Sequence, residues 1–220
     1  MIYILSAFVF GLFIPYAARR FAKFMPATFA GALIELFRLE KREKGYRKHS
    51  LYRKFLWRSV LCGLVAAGLT GFAMQHFGTL GLGFLMFYLL GLLLLAEIDY
   101  RTFLLPDILT VPLLLAGLLT SVLHVGFVTP EESVFGAVIG YVLPVLVSLL
   151  IVWRNKEAFG GGDIKLLSAI GAWLGIEGLL YVVALSSVLG LFYGLIRRQR
   201  SLAFGPMIAL SGILVAFFLF

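Results

Sequence analysis

Two stretches of this chain set carboxylates where carboxylates are costly. One is Asp99-Tyr100-Arg101-Thr102-Phe103-Leu104-Leu105-Pro106-Asp107. The other is Gly160-Gly161-Gly162-Asp163-Ile164-Lys165. Each stands at the edge of a long apolar run, and an ionisable group there needs a reason. Asp107 has a structural one. Behind Pro106 it opens a helix, where proline is tolerated and a negative charge favours the positive end of the dipole or caps nearby amides. Asp99 has no such reason, because it closes an apolar helix and faces the negative pole. Asp163 opens another helix behind three glycines, whose bare backbone lets a peptide strand approach and bond to the main chain. Lys165 marks the membrane edge or steers charge at the site. Glu97 is a fourth acid, just inside the end of the helix that Asp99 closes.

Two carboxyl groups brought together can share one proton, because both cannot ionise cheaply at short range. The ionised member takes a proton from water as general base, and the protonated member donates to a peptide carbonyl. That chemistry needs no metal and no covalent intermediate. Asp99 and Asp163 are therefore the candidate catalytic pair. Gly160, Gly161, Gly162, Lys165 and Asp107 are the candidate supporting or substrate-binding residues. The same acids would also serve a proton-coupled transporter as a relay. A non-catalytic membrane scaffold is the third reading.

The elements that must hold these acids are membrane helices. Of 220 residues, 61% are hydrophobic and 14% charged, whereas a soluble domain is near half apolar and a quarter charged. Lipid must be the main solvent. A single cysteine, Cys62, excludes an internal disulfide framework. With His49, His76 and His124 scattered, no metal site is expected. The first apolar run precedes its basic residues, which fits a retained helix rather than a cleaved signal. The apolar runs predict helices over 2–18, 57–77, 80–98, 108–127, 133–153, a short 164–174, 179–196 and 204–220. The fold class is all-α, a polytopic transmembrane bundle of about eight helices. The chain reads as one membrane domain over 1–220, with a basic cytoplasmic loop over 19–56 and the core carrying the chemistry over 80–220.

Threading these helices alternately gathers all 19 Lys and Arg residues in or beside 19–56, 99–107, 154–163 and 197–203. Positive charge marks the cytoplasmic side, so both termini are expected on the periplasmic side and the acids at the cytoplasmic face. The same rule explains the net charge of +8 without nucleic acid. Within the loop, 32–39 has helical apolar spacing and 41–54 is strongly basic, as in a helix lying on anionic membrane lipids.

These motifs resemble those of the type IV prepilin peptidases, a family of GxGD intramembrane aspartic peptidases. The family's aspartate eight residues before the end of an L-P-D triplet is matched by Asp99 and Leu105-Pro106-Asp107. Its GxGD, followed by K-L-L and G-x-W-x-G, is matched by Gly160-Gly161-Gly162-Asp163, Lys165-Leu166-Leu167 and Gly171-Ala172-Trp173-Leu174-Gly175. Its F-G-P is matched by Phe204-Gly205-Pro206. The resemblance implies that Asp99 and Asp163 are catalytic. It implies prepilins or pseudopilins as substrates, with leader removal after a glycine on the cytoplasmic side of the bacterial inner membrane. Many family members also methylate the new N-terminus with S-adenosylmethionine, an activity for which no residue here is assigned. The peptidase itself needs no cofactor. Longer members carry two Cys-x-x-Cys pairs in the first loop, and this chain has none of them.

Overall fold

The structure, a computed structural model, describes residues 2–24, 49–73, 79–153, 160–197 and 203–219. The described residues form seven helices and no strand: α1 (Ile2–Phe24), α2 (His49–Ala73), α3 (Thr79–Thr102), α4 (Asp107–Val122), α5 (Pro130–Trp153), α6 (Gly161–Arg197) and α7 (Gly205–Leu219). Four contain stretches long and apolar enough to cross a membrane, at Tyr3–Phe21, Gly81–Thr102, Pro130–Leu150 and Gly161–Ile196. Large apolar side chains such as Leu149, Phe192 and Phe218 are exposed on the outside of the bundle. That distribution suits lipid and would be untenable in water.

Several boundaries differ from the sequence expectation. The apolar run ends at Ala18, yet α1 continues to Phe24. Arginine is a good helix former, and Arg20 Nε donates back one turn to the Tyr16 hydroxyl, 3.1 Å away. α2 begins at His49, eight residues before the predicted start. The loop expected over 19–56 is therefore shorter at both ends. Residues 32–39 and 41–48 of that loop lie outside the described residues. α4 ends at Val122 rather than 127, because the Val125 and Gly126 amides fold back onto the Thr120 carbonyl and His124 turns at φ 53°. The predicted helices 164–174 and 179–196 are the two halves of α6. They meet at Gly175, whose φ of 67° and ψ of −169° interrupt the helix.

The core forms where α3, α4, α6 and α7 meet. Tyr88, Leu92, Leu95, Leu166, Ile170 and Ile208 are fully buried there. Polar atoms in this dry interior find partners on neighbouring helices. Tyr88 Oη donates to the Gly212 carbonyl at 3.1 Å, and Trp173 Nε1 donates to the Leu113 carbonyl at 2.8 Å. α5 and the first half of α6 approach backbone to backbone at Gly136 and Gly171, where any Cβ would collide with the facing main chain. Ser133 and Ser168 side chains bridge the pair by donating to the Ala172 and Ala137 carbonyls, at 2.5 and 2.8 Å. This packing anchors the short helix whose first turn carries Asp163.

Candidate active site

Asp99 lies in the last turn of α3 and is buried, at 4% exposure. Its Oδ2 accepts the Gly205 backbone N–H at 3.0 Å. Gly205 is the first residue of α7, so a helix N-terminus, with its unpaired amides, is aimed at the carboxylate. The approach depends on the missing side chain, since a Cβ at Gly205 would stand 2.7 Å from Asp99 Oδ2 and 2.9 Å from Cγ.

Asp163 lies in the first turn of α6 and is half-buried. Its backbone N–H donates to the Gly160 carbonyl at 3.0 Å, which closes the first turn. Asp99 lies near enough for its charge to act on Asp163. Gly160 and Gly161 are exposed, and a Cβ at Gly161 would meet nothing within 4 Å. Gly162 differs: a Cβ there would sit 2.7 Å from Leu105 Cβ. The glycine loop is thus pressed onto the linker between α3 and α4. There Phe103 takes a φ of 55° and donates its N–H to the Asp99 carbonyl at 2.8 Å.

Asp107 and Lys165 tie the two motifs together on the outside. Lys165 Nζ binds both Asp107 oxygens, at 2.6 and 2.7 Å. Asp107 therefore opens α4, as expected, but its side chain makes no helix cap. The lysine takes the carboxylate instead. The pair is well exposed, and such pairs contribute about 0–1 kcal/mol. Asp107→Asn is accordingly expected to lower activity by less than about fivefold in a cleavage assay.

Two features escaped sequence reasoning. The first is the Gly205 amide on Asp99. Gly205-Pro206 reads locally as a helix start, which it is, but nothing nearby in sequence reveals the contact 106 residues away. The second is the environment of Glu97, one turn before Arg101. Glu97 is buried at 8% exposure and holds Arg58 of α2 at 2.5 Å and Arg101 of its own helix at 2.8 and 2.5 Å. The Arg58 guanidinium also lies 4.9 Å from the Tyr100 ring centroid. α2 is thereby fastened to the helix that carries Asp99. Arg58→Ala leaves Glu97 with Arg101, whereas Glu97→Gln leaves two guanidinium groups without a counter-charge. Glu97→Gln is expected to lower the melting temperature in detergent by the larger amount.

A family model described as the type IV leader peptidase family matches residues 86–195. Among curated proteins, a prepilin leader peptidase/N-methyltransferase of Escherichia coli strain K12 is 36% identical over 177 residues, covering 76% of this chain and 77% of its own. A protein of the same name from Burkholderia pseudomallei strain K96243 is 39% identical over 170 residues, covering 73% of this chain and 55% of its own. One from Dickeya chrysanthemi is 45% identical over 130 residues, covering 54% of this chain and 44% of its own. The chain thus spans about half the length of the latter two. No solved structure matches.

Proposed function

The chain belongs to the type IV leader peptidase family, and we propose that it is an intramembrane aspartic endopeptidase that removes the leader of type IV prepilins or pseudopilins. The observation that carries this reading is the convergence of three distant segments. Gly162 presses on Leu105, Lys165 grips Asp107, and the Gly205 amide holds Asp99. Together they support a shared pocket for Asp99 and Asp163.

In that pocket the pair holds one proton between two carboxyls. The ionised member draws a proton from water, and the resulting hydroxide attacks the scissile carbonyl carbon. The protonated member delivers its proton to the carbonyl oxygen, giving a tetrahedral diol. The first acid then passes the proton it took from water to the leaving nitrogen as the C–N bond breaks. The second recovers a proton from a diol hydroxyl as the new carboxyl forms. The Gly205 amide fixes the orientation of Asp99 and leaves its other oxygen free to face Asp163 or water. The exposed backbone at Gly160 and Gly161 supplies an edge along which an extended substrate segment can lie.

The distribution of Lys and Arg supports a multi-pass protein of the bacterial inner membrane with periplasmic termini and a cytoplasmic active site. The relatives' names also carry N-methyltransferase activity. S-adenosylmethionine would supply the methyl group for that reaction. Two cavities among the described residues, of about 620 and 540 Å³, are lined almost wholly by apolar side chains. They do not fit a charged, multiply hydrogen-bonding methyl donor.

The test is incubation of the purified protein in detergent with a leader-bearing pilin precursor. Mass spectrometry is expected to find a new N-terminus after a glycine. A precursor that stays intact while an established peptidase cuts it would overturn the reading.

A further inference from the structure

Arg58 is a point at which α2 meets the helix that carries Asp99. Its Nη2 donates to Glu97 Oε2 at 2.5 Å, and its guanidinium carbon lies 4.9 Å from the Tyr100 ring centroid. One side chain thus touches the residue two before Asp99 and the residue just after it. Arg101 completes the cluster from within α3, with Nε and Nη2 on Glu97 Oε1 at 2.8 and 2.5 Å. Both oxygens of Glu97 are engaged, and its side chain is buried.

At about 100° per residue, Glu97, Tyr100 and Arg101 share one face of α3. Asp99 stands about 200° round from Glu97, on the far side of the helix. There its Oδ2 takes the Gly205 N–H of α7 at 3.0 Å. The last turn of α3 is therefore held from two sides, by α7 at Asp99 and by α2 on the face behind it. Little helix remains beyond to fix its rotation, since α3 ends at Thr102 and Phe103 turns at φ 55°.

α2 brings α1 with it. The two approach backbone to backbone, and a Cβ at Gly11 would stand 2.7 Å from Gly63 Cα. Ala18 and Phe21 of α1 pack on Ile98, the residue between Glu97 and Asp99. The α1–α2 pair thus engages residues 97, 98 and 100 and leaves Asp99 to the site. Both helices precede the residues matched by the family model, 86–195, so this hold on Asp99 comes from outside the matched segment.

We propose that Arg58 is a positioning residue for cleavage: by gripping Glu97 and Tyr100 it sets the rotation of the last turn of α3, and so the aim of Asp99 at Asp163. The proposal rests on the peptidase reading above. Arg58 acts through its two partners and not on the substrate. Arg101 cannot replace it, because Arg101 and Glu97 belong to the same helix and tie it to no other.

Arg58→Met tests this, since it keeps the apolar stem, removes the charge and leaves Glu97 with Arg101 as counter-ion. The kcat per folded enzyme is expected to fall at least about tenfold, with KM within about twofold. Arg101→Met takes a charge from the same carboxylate but spares the α2–α3 bond, and is expected to cost less than about threefold. Arg58→Lys can still donate to Glu97 and is expected to recover most of the rate. Circular dichroism and detergent gel filtration confine the comparison to folded protein. Should Arg58→Met not yield folded protein, Arg58→Gln is read in its place.

Geometry is read separately from cleavage. Cysteines replacing Asp99 and Asp163 in a Cys62→Ser background are joined with a very short thiol crosslinker. With Arg58→Met they are expected to join at least about fivefold more slowly than with Arg58 or Arg58→Lys. A lowered melting temperature with kcat and crosslinking rate unchanged would make Arg58 merely structural and overturn the proposal. Equal losses in Arg58→Met and Arg101→Met would overturn it too, by making the effect one of charge. So would the lack of any crosslink with Arg58 in place. If the wild type cuts no precursor, the peptidase reading falls, while the crosslinking rates still decide whether Arg58 sets the aim of position 99.

Discussion

Asp99→Asn and Asp163→Asn are each expected to slow leader removal by at least about a thousandfold, with the double variant no slower than the worse single one. Asparagine keeps the shape of the side chain and can still accept the Gly205 N–H at Asp99. It cannot hold or pass the shared proton. If the two acids form one proton-sharing unit, losing either loses the unit, and the losses do not add. Initial rates on a purified precursor, measured over a wide range of enzyme concentration, check the result. Two modest losses that multiply in the double variant would mean that the acids act independently. Full activity in both single variants would mean that cleavage does not depend on this pair of acids, and would overturn the proton-sharing mechanism.

Gly205→Ala is expected to cost about a hundredfold in kcat while leaving helical content and membrane insertion intact. The added carbon would lie 2.7 Å from Asp99 Oδ2 and 3.1 Å from its Cβ, too close for either to stay in place. Either α7 backs away or the Asp99 side chain swings. Both lose the amide contact and shift the Asp99 carboxylate by about 1 Å, a displacement that costs about 10²-fold at a reacting group. Circular dichroism and detergent gel filtration separate this from misfolding. A near-normal rate would mean that Asp99 needs no support from the end of α7.

The candidate acids were legible because they stand in short, local signals. Asp99 closes an apolar run and Asp163 follows three glycines. Helix periodicity and the cost of placing acids at a membrane edge are enough to mark both. The turn at Gly175 was legible too, as a gap between two apolar runs, since only a residue without a side chain passes easily through that backbone conformation. What the sequence could not show was which distant element completes each site. The Gly205 amide meets Asp99, and Arg58 meets Glu97, through packing of α7 and α2 on α3. No periodicity within one helix encodes such contacts. The ends of α1 and α2 were misjudged for another reason. Apolar runs measure the hydrocarbon thickness, but a helix persists past it wherever its backbone bonds continue, as through Arg19 and Arg20 to Phe24.

The proposed proton sharing requires Asp99 and Asp163 to face one another across a common pocket. Cysteines placed at both positions in a Cys62→Ser background, treated in native membranes with a very short thiol-specific crosslinker, measure this directly. An intramolecular crosslink in high yield is expected between positions 99 and 163, with protection when the leader-bearing precursor is added first. Efficient labelling of each cysteine alone, with no crosslink between them under any condition, would contradict it.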